Sequence, residues 1–574
     1  MYNSHHTTML IVCTSIIRIY TFEWIIRISS KTTKSINITD KRKFMLKYRN
    51  LALVATLPIV LLQGCGGGSS DTPTSTTPTD IVTWKFQDFS VPASSFANKC
   101  SIARTGIDPY TGKKYPDEAG STLHEKMFLR AFSNDTYLWY DEIPDNNPSN
   151  YPSVLAYFDS LVTPYKTTSG QNKDRFHFTR SYEDYMKSQQ AGLVAGFGFN
   201  WKFVQSTQPR EVIISYTEDN SPASSNGVAR GDKLLKINDI DVVNTSSRAE
   251  IDFINKTLFS PDLGKDFTFT FETVDGAPKI VTLTSADVAT SPVRNVKIID
   301  NDGTKVGYMQ YNAFEVTAQQ PLINAFNQLS AANVDEIIMD LRYNGGGLVW
   351  QSAQVGYMLA GTHSSSTFAE LIYNDKIMNS GEVENNVYSF VDTEIDWGKG
   401  ILTDNALPTL SAKRVYVLTT DNTASSSELL INGLRGIDVE VVQIGTTTTG
   451  KPYGFSPQQN CGNMYYTIQF KSSNAKGFGD FADGFTPTAK SLVSSNIGTD
   501  EKVEGCVVAD DLTKPLGNSS EGMLSAALNY MTTGTCPPAP AVAKAPRLMP
   551  MLGGTPLNLQ LDPLRQEAIH VKIN

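Results

Sequence analysis

The chain of 574 residues predicts an α+β architecture of several units: a helical N-terminal region, a small β domain, and an α/β core around a largely parallel sheet. Three observations carry this reading. At roughly 150 residues per domain the chain is too long for one core. Aromatic and apolar residues recur at helical spacing between 83 and 188, whereas short alternating strands and glycine turns follow between 189 and 290. From 291 to 535 strand-like and helix-like segments alternate, the pattern of a parallel sheet covered by helices.

The first segments concern address. Met45 to Asn50 is short and basic, Leu51 to Leu62 is apolar, and Gln63-Gly64-Cys65 follows. A basic segment, an apolar stretch too short to span a bilayer and a small-residue cut site predict a secretory signal over 45–64. Gly64-Cys65 resembles a bacterial lipobox, which implies lipidation at Cys65 and a lipoprotein facing the periplasm. Gly66 rather than Asp after it points to the outer membrane. Residues 1–44 read as an extension upstream of the true start, because Arg18, Glu23 and Arg27 interrupt their apolar stretch. Residues 65–82 are rich in Gly, Ser, Thr and Pro, a flexible tether.

Beyond the tether, Leu123, Met127, Phe128, Ala131 and Phe132, then Tyr137-Leu-Trp-Tyr140, place a helical region over 83–188. Over 189–290, G-F-G-F (196–199) precedes the strand-like E-V-I-I-S-Y (211–216), and Asn238-Asp239 marks a hairpin. In the α/β region, V-G-Y-M-Q-Y (306–311), E-I-I-M-D-L (336–341), R-V-Y-V-L-T-T (414–420) and V-E-V-V-Q-I-G (439–445) read as strands. The turns at 342–347 and 421–425 follow two of them and open onto one face, where α/β sites form. A last helix is expected at 521–532, and 536–574 reads as a tail whose Pro/Ala-rich start is unstructured.

Composition limits the function. A net charge of −9, with no Lys/Arg cluster in the globular part, excludes nucleic acid as the main partner. Four cysteines remain after Cys13 and Cys65 are set aside, and in an exported chain Cys100, Cys461, Cys506 and Cys536 allow two disulfides in three pairings. No C-x-x-C or H-E-x-x-H spacing occurs, and His124, His177, His363 and His570 form no ligand-like cluster. No metal and no cofactor are expected.

The chemistry rests on three motifs. Ser425 stands in T-A-S-S-S-E-L-L at a strand-to-helix turn, Lys451 in T-T-T-T-G-K-P-Y-G, and Gly345 to Gly347 close D-L-R-Y-N-G-G-G. Ser425 and Glu428 have the spacing of a capping box, so a helix cap is the competing reading of that serine. For Lys451 the competing reading is a solvated turn lysine, and for the glycines a plain post-strand turn. If they converge, a hydroxyl, an amine able to deprotonate it and exposed backbone N–H groups make a hydrolase without histidine. The amine must then be neutral, so its ordinary pKa of about 10.4 must fall through burial or a nearby cation.

These blocks together resemble the C-terminal processing (tail-specific) serine peptidases, relatives of the tricorn core, over roughly 120–535. The G-F-G-F loop with G-V-A-R-G-D-K-L-L-K-I-N-D (227–239) resembles a PDZ domain. The resemblance implies Ser425 as nucleophile, Lys451 as general base, and an oxyanion hole of backbone N–H groups at Gly346 and Ser426. It also implies that Gly196, Phe197, Gly198 and Phe199 hold peptide tails added as a strand. Partners would be unstructured or C-terminally recognised proteins, and the membrane through the lipid. Where many family members carry a glutamine four residues after the lysine, this chain has Phe455. The orienting role then falls to Ser456, Gln458 or a hydroxyl of Thr446–Thr449, with His363 as a distant candidate. A PDZ-type peptide-binding lipoprotein with weak or no catalysis is the alternative.

Overall fold

The structure is a computed structural model. It describes residues 82–538, apart from 168, 362–364, 382 and 384, and the backbone of 568–569. The signal, the tether, Cys65, His363 and the Pro/Ala-rich tail lie outside the described residues.

The fold is mixed α/β with several sheets. The largest has seven strands in the order Val293–Asn301, Thr304–Tyr311, Glu336–Asp340, Arg414–Thr419, Glu440–Gly445, Lys502–Val507 and Thr486–Thr488. The first pair is antiparallel and the remaining pairs are parallel. Successive residues of a strand face opposite sides. Accordingly Ile337, Met339, Val415 and Val417 join one core with helices Gln319–Ala331, Val349–Ala360 and Ser426–Gly436. Ile338, Tyr416 and Leu418 join another with helix Gly522–Thr533. Burial on both faces explains why these strands read as continuous apolar runs.

An antiparallel sheet precedes it, in the order Pro278–Thr284, Asp266–Glu272, Lys233–Ile237, Glu211–Thr217, Phe199–Gln205. Asn238 takes a φ of 52° at the tight turn from Lys233–Ile237 to Ile240–Asp241. Asn tolerates the left-handed region, which such a hairpin turn requires. Phe197, Ile214, Leu234, Ile254 and Phe269 form this sheet's core with helix Arg248–Phe259.

The N-terminal region is less helical than its aromatic spacing predicts. Helix Thr122–Thr136 stops where Tyr137 turns extended, and Leu138 N–H donates to Ile468 O at 2.8 Å. Tyr137-Leu-Trp-Tyr140 is therefore drawn out of the helix by a partner over 300 residues away in sequence, which no local propensity could reveal. Strand Phe178–Ser181 pairs with Asn463–Tyr466, and a disulfide joins Cys100 to Cys461 at the same place. The second disulfide joins Cys506 to Cys536.

Candidate active site

Strand Arg414–Thr419 leads through a tight turn into helix Ser426–Gly436, whose residues are all buried. Ser425, at the corner, has φ 60° and ψ −117°. For a residue with a Cβ this is strained backbone, of the kind that persists only when its surroundings over-determine it. They do so here through hydroxyls. Thr423 Oγ1 donates to Leu341 O at 2.8 Å, and Thr420 Oγ1 donates to Arg342 O. Ser426 Oγ donates to Gly347 O at 2.7 Å and Ser427 Oγ to Asn344 O at 3.0 Å.

That stitching separates the three consecutive serines. The hydroxyls of Ser426 and Ser427 are committed to carbonyls of the glycine turn. Ser425 Oγ is buried and has no hydrogen-bond partner among the described residues. Ser425 and Glu428 form the predicted capping box, in which Ser425 N–H donates to Glu428 Oε2 at 2.9 Å.

The glycine turn lies against the corner. A Cβ on Gly346 (φ 113°) would stand 2.6 Å from Ser425 Cβ, and one on Gly347 (φ 131°) 1.9 Å from Phe314 O. Only glycine fits either place. Asn344, buried below, donates from Nδ2 to Tyr311 O at 3.0 Å and accepts Gly346 N–H at 2.9 Å through Oδ1. Of the two predicted oxyanion donors, Gly346 N–H is thus engaged by Asn344. Ser426 N–H stands at the start of helix Ser426–Gly436, 3.0 Å from where a Gly346 Cβ would be.

Lys451 is 1% exposed, so the solvated-turn reading does not hold. Its ammonium lies over the ring of Phe455 at 4.1 Å and over that of Phe176 at 5.0 Å from the centroids. Glu428 is the junction between the motifs. Its Oε2 accepts Ser425 N–H at 2.9 Å and Lys451 N–H at 2.8 Å, and its Oε1 accepts Gly450 N–H at 2.7 Å and Thr448 Oγ1–H at 2.5 Å. Burial raises the Glu428 pKa and these hydrogen bonds oppose the rise. One carboxylate therefore sets the spacing of the serine corner and the lysine turn, although Ser425 Oγ and Lys451 Nζ are not hydrogen-bonded to each other.

Sequence reasoning placed Glu428 only as a cap, and missed two residues altogether. Phe176 faces Lys451, and Arg175 Nη2 donates to Thr449 O at 2.8 Å and to Gly450 O at 3.2 Å. Both come from the N-terminal region, over 270 residues before the lysine. No spacing signal links them to the motif. Among the proposed orienting groups, Thr448 serves Glu428, Thr449 Oγ1 donates to Asp421 O, and Ser456 N–H donates to Gln469 Oε1. Gln458 is exposed on the strand Gln458–Asn460. His124 is paired with Ser121 and His177 with Phe158 O. Among the described residues no cluster of His, Cys, Asp or Glu could hold a metal ion, and no helix is long and apolar enough to cross a membrane.

A cavity of about 270 Å³ runs from the G-F-G-F loop to the glycine turn, and Gly196, Phe197, Gly198, Phe199, Gly346 and Asn422 are among its walls. Phe197 is a core residue, 1% exposed, packed on Phe267 and Phe269. Changing it would therefore test stability rather than ligand capture. Phe199 is partly buried and rests on Trp201.

Residues 305–489 match the family model described as Peptidase family S41, and 126–178 match that of the Peptidase S41 N-terminal domain. The second match includes Arg175 and Phe176. A carboxyl-terminal-processing protease of Picosynechococcus is 26% identical over 269 residues, 46% of this chain and 56% of that one. The chloroplastic carboxyl-terminal-processing peptidase 1 of Arabidopsis thaliana is 27% identical over 237 residues, 40% of this chain and 42% of that one. The chain thus spans about half the length of the curated relatives it matches. The solved structure of an S41-type protein from Bacteroides fragilis has the same fold, with a TM-score of 0.52, 24% identity, and coverage of 73% of this chain and 98% of that one.

Proposed function

We propose that this chain, whose residues 305–489 and 126–178 match the models of Peptidase family S41 and its N-terminal domain, hydrolyses peptide bonds with Ser425 as nucleophile and Lys451 as general base. The observation that carries this is the Glu428 carboxylate, which accepts N–H bonds from both residues while leaving the Ser425 hydroxyl uncommitted. Neutral Lys451 takes the proton as Ser425 Oγ attacks the carbonyl, then delivers it to the leaving amine; water releases the acyl group. The oxyanion is held by Ser426 N–H at the helix start, with Gly346 N–H exchanging Asn344 Oδ1 for it. Phe455 and Phe176 position the amine where a glutamine stands in many relatives. Arg175 and Glu428 hold the turn that presents it.

The same reading makes 189–290 a PDZ-like peptide-binding domain, whose G-F-G-F loop passes unstructured or C-terminal tails along the cavity to Ser425. Export and anchoring at Cys65 rest on the signal sequence. Two disulfides in the folded chain support an oxidising compartment. Mass spectrometry of the membrane-bound protein would find a diacylglyceryl group on Cys65; an unmodified cysteine would remove the anchor from the reading. The catalytic assignment is tested with Ser425→Ala and Lys451→Ala. Each abolishes cleavage of an unstructured test protein while circular dichroism and melting stay those of the parent. Undiminished cleavage by either variant would sink the dyad.

A further inference from the structure

Close to the candidate active site a second segment of the chain is present that the catalytic reading does not use. Ala568–Ile569 pairs in parallel with Gly347–Leu348, the residues that close the glycine turn. Its backbone also runs beside Tyr453–Gly454, the strand that follows Lys451-Pro452. The segment therefore lies between the turn bordering Ser425 and the strand leaving Lys451, where an extended polypeptide must lie to reach both. Gly347–Leu348 is otherwise bonded to Phe314, whose O accepts Leu348 N–H at 2.8 Å, so its second edge is the one the segment takes. Strand addition of this kind uses main-chain groups and admits many sequences.

The tether makes such a weak contact effective. A two-residue pairing is marginal by itself. Here the Cys506–Cys536 disulfide fixes the chain to strand Lys502–Val507 at Cys536, 32 positions before Ala568 (568 − 536). A connection of that length reaches at most ~110 Å, and linkage within one chain raises the effective concentration of the segment at the cleft. The sequence Ala568-Ile-His-Val-Lys-Ile573 alternates β-branched with polar residues, which favours an extended strand.

We propose that the segment at Ala568–Ile569 is an intramolecular peptide ligand of the cleft, bound as a parallel strand on Gly347–Leu348, and that substrates compete with it for that edge. The competition with substrate rests on the proposed peptidase function; the binding does not. The test uses Ser425→Ala in the full chain, Ser425→Ala ending at Pro538, and Ser425→Ala/Ile569→Pro in the full chain. A fluorescent peptide of residues 560–574 is titrated into each and followed by anisotropy. Binding to the shortened and Ile569→Pro forms at least ten-fold tighter than to the intact chain is expected. Equal affinity for all three, or binding to none, overturns the proposal. With Ser425 restored, the shortened and Ile569→Pro forms show a several-fold lower KM for an unstructured substrate at similar kcat; an unchanged KM alongside measurable cleavage also counts against it. Absence of cleavage in every form would defeat the peptidase reading and leave the anisotropy result to decide the ligand.

Discussion

Two buried charged clusters flank the same glycine turn and are built in opposite ways. At its upstream end Arg342 meets Asp340 at 2.9 Å, Asp510 at 2.9 Å and Glu521 at 2.7 Å, while Arg230 reaches Asp510 at 2.6 Å and Tyr343 OH donates to Asp510. At its downstream end the Glu428 carboxylate is met by three N–H groups and one hydroxyl, and the Lys451 ammonium by two aromatic faces. Full charges facing full charges lock one protonation state. Burial pushes the Asp510 carboxyl up, but Arg230 and Arg342 outweigh it and hold it down to about 2. Dipoles and π faces hold the second cluster in place, and there burial raises the Glu428 pKa while the hydrogen bonds lower it. The first cluster ties Arg230, in the loop after Glu211–Thr217, to the turn, and is architecture; the second is suited to chemistry.

The comparison breaks most sharply at the serines. Ser425→Ala is expected to lower cleavage by about 10⁶-fold, the scale of losing a nucleophile, with little change in melting. Ser426→Ala should retain most activity and lose about 1 kcal/mol of stability, the worth of one hydrogen bond. The reverse pattern would move the nucleophile. At the other cluster Arg342→Met should cost about 3–5 kcal/mol in urea unfolding, because it leaves buried carboxylates uncompensated. A loss below 1 kcal/mol would show that the ion network is not structural.

A smaller effect follows from pH. The folded-state pKa of Asp510 is lowered from 3.8 to about 2, so its contribution is present above pH 4 and lost as pH falls toward 2. Urea midpoints across that window should reveal roughly 2 kcal/mol from this group, and Asp510→Asn should remove that part of the slope. Phe455→Leu keeps apolar volume and removes the ring. We expect kcat to fall about ten-fold, in line with roughly 1–2 kcal/mol for a desolvated cation–π contact, with KM unchanged and the pH–rate profile displaced. A profile that stays in place would mean that Phe455 only fills space. Least of all, Lys202→Ala removes a partly exposed pair with Asp421 and should change stability by under ~1 kcal/mol.

Much of the scaffold was legible in sequence because its signals are local. The apolar runs at 306–311, 336–341, 414–420 and 439–445 all became strands of one sheet. The expected last helix is Gly522–Thr533, with Glu521 as its cap. Tyr137-Leu-Trp-Tyr140 failed as helix because a carbonyl at Ile468 competes for its backbone. Phe176 and Arg175 were invisible to spacing, since what joins them to Lys451 is the pairing of Phe178–Ser181 with Asn463–Tyr466.

The sequence by itself determined where the turns fall, which of them follow strands, and which residue types stand there: three serines before a glutamate, a lysine after a glycine, and three glycines in a row. Such features depend on φ/ψ preferences and side-chain periods that act within a few residues. Only the tertiary structure decided that Ser426 and Ser427 hydroxyls are consumed by the glycine turn while that of Ser425 is not. It also decided that Glu428 reaches the lysine turn as well as its own helix, and that a segment near residue 568 lies beside the same turn. These outcomes turn on hydrogen-bond partners far apart in sequence, and a partner is settled only when the sheet has brought its strands together.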